Sequence, residues 1–321
     1  MGRIVAILRQ ARADRLYGFR IDTAAGAPPR GYVWGSLVVI ANAAQCLVRG
    51  FCVALLVLLP ALLTPGISQD LSQGATLLAL IAAIVVMAEY TASNPGLIEF
   101  RDAKPYNRTR FLIVFAIIML VTFHQRDATL LQGSDTWLMQ FAQWLGQLMD
   151  FSFSPVRLLV SSLPAGVPET HIAHVQSVAA LAYLLSLLGI LAFFVAIVTG
   201  YWPRRDASFN VWINLPNFDP TQGVDVVFRL ERDAQINVLL GIVLPFSLPA
   251  LLHFSSFLVQ PVTLETPLAL IWGVTLWAFI PVSLIMRGIG MHRVAQMIRA
   301  ERRRMARAAE ATPDAPRSAY S

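Results

Sequence analysis

The chain has 321 residues, 56 % of them hydrophobic and only 14 % charged, with a formal net charge of +6 and a mean hydropathy of +0.60. A water-soluble domain carries about a quarter charged residues, so this balance excludes an ordinary soluble enzyme and points to a polytopic membrane protein. The positive charge lies in blocks between apolar runs, where it meets lipid headgroups and sets topology, so nucleic acid is not an expected partner.

Residues 1–30 read as a basic amphipathic arm and linker. Ile4, Ile7, Leu8 and Ala11 share one side of a helix, while Arg3, Arg9, Arg12 and Arg15 take much of the rest. Such an arm is expected on an anionic leaflet. The membrane domain covers residues 31–286. Its first crossing is placed at 45–63, because about 20 apolar residues suffice, with an interfacial helical segment before it. The second crossing, 74–92, carries Glu89. A polar turn follows, broken at Asn94-Pro95-Gly96 and holding Arg101, Lys104, Arg108 and Arg110. Cationic residues beside short loops stay cytoplasmic, so this turn orients the chain. The third crossing is 107–124, with Arg110 expected to snorkel to the interface.

Residues 125–174 form the large outer segment. Within Trp137–Met149, Trp137, Phe141, Trp144, Leu145 and Leu148 fall at helical spacing, with Gln140, Gln143 and Gln147 opposite. That pattern predicts an outer-side amphipathic interfacial helix. Pro155–Leu163 is too short to cross and reads as re-entrant or interfacial. The fourth crossing is 175–201. In the cytoplasmic loop 204–235, Trp212, Ile213, Leu215 and Phe218 are too apolar for a free loop and are assigned to a partner or packing surface. Asp219 joins them as the expected N-cap of a helix opened by Pro220. Crossings five and six are 236–259 and 267–286, and residues 287–321 form a cytoplasmic basic helix and a disordered tail.

The expected fold class is therefore an all-α polytopic membrane protein of six transmembrane helices with both termini cytoplasmic. Of the Arg and Lys residues outside the crossings, this count leaves only Arg126 and Arg157 on the outer side, as the positive-inside rule requires. Arginine is abundant and Lys104 is the one lysine, a usage common in GC-rich bacterial genomes. The expected location is the bacterial inner membrane.

Arg49 and Glu89 lie at matched depth in the first hairpin, roughly 22–24 Å from its outer turn. They are expected to form an intramembrane ion pair, either a packing bridge or a proton or ion site. His124, His171, His174 and His253 all belong to the outer half, and converging neutral imidazoles would suit a transition metal or supply axial haem ligands. No Walker lysine, GxSxG, HExxH or Rossmann glycine pattern is present, so no catalytic residue is assigned. Cys46 and Cys52, six residues apart, point away from each other on a helix and are not expected to form a disulfide. Three functions fit. The best supported is a non-enzymatic accessory, assembly or scaffolding component of a membrane-protein complex, because buried ionisable groups are few. The alternatives are a secondary transporter or channel using the Arg49/Glu89 region and a haem- or metal-binding protein using the histidines.

Overall fold

The computed structural model describes residues 30–92, 96–101, 104–131, 136–202, 214–216, 218, 225–255 and 264–310. The chain divides into two compact units, Met1–Ala44 and Gln45–Ser321. The contacts described below lie within the second. Among the described residues the regular elements are α1 (Arg30–Leu63), α2 (Gln69–Thr91), α3 (Lys104–Leu130), α4 (Trp137–Leu148), α5 (Pro155–Ser161), α6 (Glu169–Val198), α7 (Val226–Ser255) and α8 (Pro267–Glu310). Six of them (α1, α2, α3, α6, α7 and α8) are long and apolar enough to cross a membrane. The apolar runs predict the same six.

Helix ends follow capping rather than hydropathy. α2 begins at Gln69, five residues before the apolar run, because Ser68 accepts the Leu71 N–H at 3.4 Å and Asp70 sits in the first turn, where acidic groups meet the positive end of the helix dipole. α6 begins at Glu169, after Pro168 and without a side-chain cap, with that acidic residue in its first turn. α8 joins the expected sixth crossing and the basic helix in one rod of 44 residues. Arg, Ala, Met, Gln and Glu after Met286 are strong helix formers, so nothing there stops it. The rod is about 66 Å long, roughly twice a 30 Å hydrocarbon core.

The core lies among α3, α6, α7 and α8, with Ile117, Val121, Ala179, Leu230, Ile271 and Val274 buried. The most extensive pairing is α7 against α8. Two glycines permit it. A Cβ at Gly241 would lie 2.6 Å from the Pro281 carbonyl oxygen, and one at Gly288 would lie 2.6 Å from that of Ala234. In an apolar medium helices associate by close van der Waals contact, which small residues allow. The prolines add a second constraint. Pro249 has no N–H, so the Pro245 carbonyl lacks its helical donor. Trp277 Nε1 of α8 donates to that oxygen at 3.2 Å, which makes the break tolerable where no water reaches. Ser186 Oγ of α6 donates to the Ala278 carbonyl of α8 at 3.3 Å.

α2 is different: it buries only Ala79 and leaves Leu77, Leu80 and Ile84 exposed. α4 packs on α6 through Leu138, Ala142, Leu145 and Gly146. Its Gly146 carbonyl accepts Gln176 Nε2 at 3.0 Å. Trp137, Trp144 and Leu148 are exposed. Leu145, grouped by spacing with the tryptophans, is buried while they are exposed. α5 packs on α6 and α7, with Ser154 capping the Val156 N–H.

Close backbone contact predicts opposite outcomes for two glycine-to-alanine changes. Gly288→Ala should lower stability by about 1–3 kcal/mol through overpacking. Gly74→Ala, where a Cβ meets open space, should raise it by up to about 1 kcal/mol through helix propensity. Thermal unfolding in detergent measures both, and equal effects would disprove the backbone contact.

Candidate functional site

The turn 96–101 gathers more polar contacts than any other short segment described. Successive N–H groups of a tight turn aim at one point and receive an anion well. Here Gly96, Leu97 and Ile98 donate to Glu89 Oε2 at 3.0, 2.8 and 3.1 Å. Glu89 stands in the last turn of α2, so it ties that helix to the turn. Arg101 Nη1 donates to the carbonyls of Glu89 and Ala92 at 3.2 and 2.6 Å, which satisfies carbonyls that a helix end leaves without partners.

Glu99 faces the other way. Arg287 of α8 donates from Nε and Nη2 to its two oxygens at 2.6 and 2.8 Å. Arg287 Nη1 donates to Asn237 Oδ1 of α7 at 2.9 Å. The fork geometry suits arginine and carboxylate, and charge assistance makes each bond stronger than a neutral one. The Glu99 side chain is only 11 % exposed, so losing Arg287 would strand its charge.

Phe100 follows, fully buried and at φ 53°, a left-handed conformation that costs an L-residue about 1–2 kcal/mol. Several bonds hold it there. Its N–H donates to the Asn214 carbonyl at 2.6 Å, and Asn107 Nδ2 donates to the Glu99 and Phe100 carbonyls at 2.8 and 3.1 Å. The ring lies 4.3 Å from Tyr106 and 5.6 Å from Trp202, centroid to centroid, and Phe193 closes the cluster at 5.7 Å from each. Aromatic pairs of this kind contribute about 0.5–1.5 kcal/mol each beyond burial. Gly290 on α8 gives the ring room, since a Cβ there would approach it to 3.1 Å. Nearby, Arg110 donates to Ser283 Oγ of α8 at 2.6 Å.

The expected Arg49–Glu89 ion pair does not form. Glu89 is taken by the turn seven to nine residues further on, and Arg49 lies over the Tyr90 ring, 4.1 Å from its centroid. Three pre-aimed N–H groups outcompete a long flexible side chain for the carboxylate, and the guanidinium finds a cation–π partner instead.

The four histidines are only partly brought together. His124 and His174 meet, with ring centroids 5.0 Å apart. His174 Nε2 donates to Gln125 Oε1 at 2.7 Å, while both nitrogens of the buried His124 lack a hydrogen-bond partner. His171 lies one turn before His174 on α6. His253 is exposed near the end of α7, its ring 6.4 Å from that of Phe254. Among the described residues no three His, Cys, Asp or Glu side chains are grouped to hold a metal. Two imidazoles would leave a tetrahedral ion half-liganded.

Leu215 and Phe218 are buried, with Arg229 4.8 Å from the Phe218 ring centroid. Trp212, Ile213 and Asp219 lie outside the described residues, as do most of the N-terminal arm and the tail from 311. Asn237 and Arg287 are not marked by any sequence motif. One signal was available: Arg287 is the first charge after the sixth apolar run and Glu99 stands near the inner end of the second, so both lie at one level.

The chain was compared with family models, characterised proteins and solved structures. It matches none of them. The arrangement itself is a carboxylate-capped turn locked to two helices, α2 and α8.

Double-mutant cycles test this wiring. Glu99→Gln with Arg287→Gln should show a coupling of about 1–3 kcal/mol, whereas Arg49→Gln with Glu89→Gln should add to within about 0.5 kcal/mol. Strong coupling in the second cycle would restore the ion pair.

Proposed function

We propose that the chain is a multi-pass protein of the bacterial inner membrane, with both termini cytoplasmic, acting as a non-enzymatic accessory, assembly or scaffolding component. In this orientation the 96–101 turn and the basic end of α8 are inside, which follows the positive-inside rule. α4 lies at the outer interface with Trp137 and Trp144 in lipid, in keeping with the interfacial preference of tryptophan. The ionisable groups near the helices serve structure: Glu89 receives a turn, Arg49 stacks on a ring, and Glu99 and Arg287 hold each other. The transporter alternative draws on Arg49 and Glu89, and both are engaged in this way.

The observation that carries the scaffold reading is the free end of α8. Arg299 bonds to Glu231, and Arg302 Nη1 donates to Asp225 Oδ1 at 2.8 Å. Beyond this tether residues 303–307, including Arg303, Arg304, Met305 and Arg307, are exposed on every side. A charged helix projecting from a bundle presents a surface rather than a core. Its chemistry fits an acidic partner surface.

The Arg302 hydrogen bond holds the Asp225 carboxyl below its ordinary range. A carboxyl with a depressed folded-state pKa supports its contact above the unfolded pKa of about 3.9 and loses it as pH falls through the folded value. The distance between spin labels at Phe228 and Arg303 should therefore stay constant at neutral pH and broaden only in acid below that range. Broadening near pH 6 would assign the tether to another group.

Affinity purification in mild detergent tests the function. The wild-type protein should bring down a membrane-protein partner, and Arg303→Glu with Arg304→Glu and Arg307→Glu should lose it with folding unchanged. A wild-type protein that purifies alone would defeat the scaffold reading.

A further inference from the structure

We propose that the groove between the end of α6 and the middle of α8 is a binding site for one anionic phospholipid, its phosphate held by Arg293. The groove encloses about 600 Å³, within the range of small-molecule clefts. One wall is apolar, formed by Phe194, Val198 and Ile289, and the other is formed by His292, Arg293 and Gln296.

The polar wall has a defined hydrogen-bond sense. Arg293 can only donate, and its Nη1 donates to Gln296 Oε1 at 3.1 Å. Gln296 Oε1 is thereby an acceptor, so its Nε2 is the donor in the 3.0 Å contact to His292 Nε2. His292 accepts at Nε2 and carries its ring proton on Nδ1. Apart from the second lone pair of Gln296 Oε1, the capacities left over are donors: Arg293 Nε, which is buried without a partner, Arg293 Nη2, the second Gln296 N–H and His292 Nδ1–H. A set dominated by donors, one of them cationic, is completed by an oxyanion.

At the end of α6, Thr199 Oγ1 donates to the Val195 carbonyl at 2.8 Å and Gly200 N–H donates to that of Ile197 at 3.0 Å, so two carbonyls at the negative end of the helix are already bonded. Among the described residues no Asp or Glu lines the groove. An ammonium headgroup would find no carboxylate, which favours phosphatidylglycerol over phosphatidylethanolamine. The apolar wall then accepts the acyl chains. Basic pockets between helices at the inner headgroup level are suited to anionic lipids. This inference rests on the membrane reading above, which places Val198 and Arg293 at that level.

Native mass spectrometry of the delipidated full-length protein tests it, with phosphatidylglycerol, phosphatidylethanolamine and inorganic phosphate as probes. One phosphatidylglycerol should bind at least about tenfold more tightly than phosphatidylethanolamine. Arg293→Gln should remove about tenfold of that affinity, or some 1.4 kcal/mol. Val198→Trp, at an exposed wall position, should fill the groove and do the same; it decides the matter if Arg293→Gln does not fold. Arg304→Gln, outside the groove, should change nothing. Equal binding of the two lipids, wild-type affinity in either groove variant, or an equal loss in Arg304→Gln would overturn the site. Inorganic phosphate bound at Arg293 and unaffected by Val198→Trp would assign it to free phosphate instead. Failure to integrate into vesicles of any composition would defeat the membrane reading, whereas integration without lipid preference would defeat this inference alone.

Discussion

The contact between Glu99 and Arg287 sets the register of the whole helical assembly. It joins residues 188 positions apart by two parallel charge-assisted bonds, and neither partner tolerates the loss of the other in so little water. Once it forms, Phe100 has one place to go, beneath Gly290 and against Tyr106 and Trp202. Asn107, Asn214 and Asn237 then find partners that exist only in that register. Glu89 grips the same turn from α2, so three long helices and one loop residue converge on six consecutive positions. Apolar helices in an apolar medium have little preference for one depth over another. Directional bonds at one end supply it.

The backbone imposes the second requirement. Away from water every carbonyl needs a donor, and each proline removes one. Trp277 answers for Pro249 across the α7–α8 pairing, and that bond needs the close approach that Gly241 and Gly288 allow. The indole donor and the glycines thus belong to one device. α2 meets α1 closely at Gly50, where a Cβ would lie 3.2 Å from the Ala83 carbonyl oxygen. It is held at its end by the turn and leaves most of its apolar surface facing outward, as a helix in lipid can without penalty.

α8 passes through three environments in order. Its apolar half packs on α3, α6 and α7. Its middle carries Arg287, inside the bundle, and Arg293, at the groove beside the end of α6. Its last turns carry arginines with no core to join. This order follows the fall in local hydropathy along one uninterrupted helix.

The sequence by itself determined the class and the count. Six apolar runs are local properties, and each becomes a long helix whatever its neighbours do, because hydropathy and backbone satisfaction act within one segment. The sequence also placed Trp137–Met149 in a helix, but it did not show which residues face the bundle: Leu138, Ala142, Leu145 and Gly146 are buried, whereas Trp137 and Trp144 are exposed. Spacing likewise put Arg49 level with Glu89, and Arg49 does reach the neighbouring Tyr90. It could not show that three backbone N–H groups of a turn would take the carboxylate first. Likewise, of the four histidines assigned to one half of the membrane only His124 and His174 meet, because only the helix faces that meet bring side chains together. The partners of Glu99, Phe100 and Trp277 were decided by tertiary structure alone. Each depends on which helix faces meet and at what height, and no stretch of sequence holds both sides of such a contact.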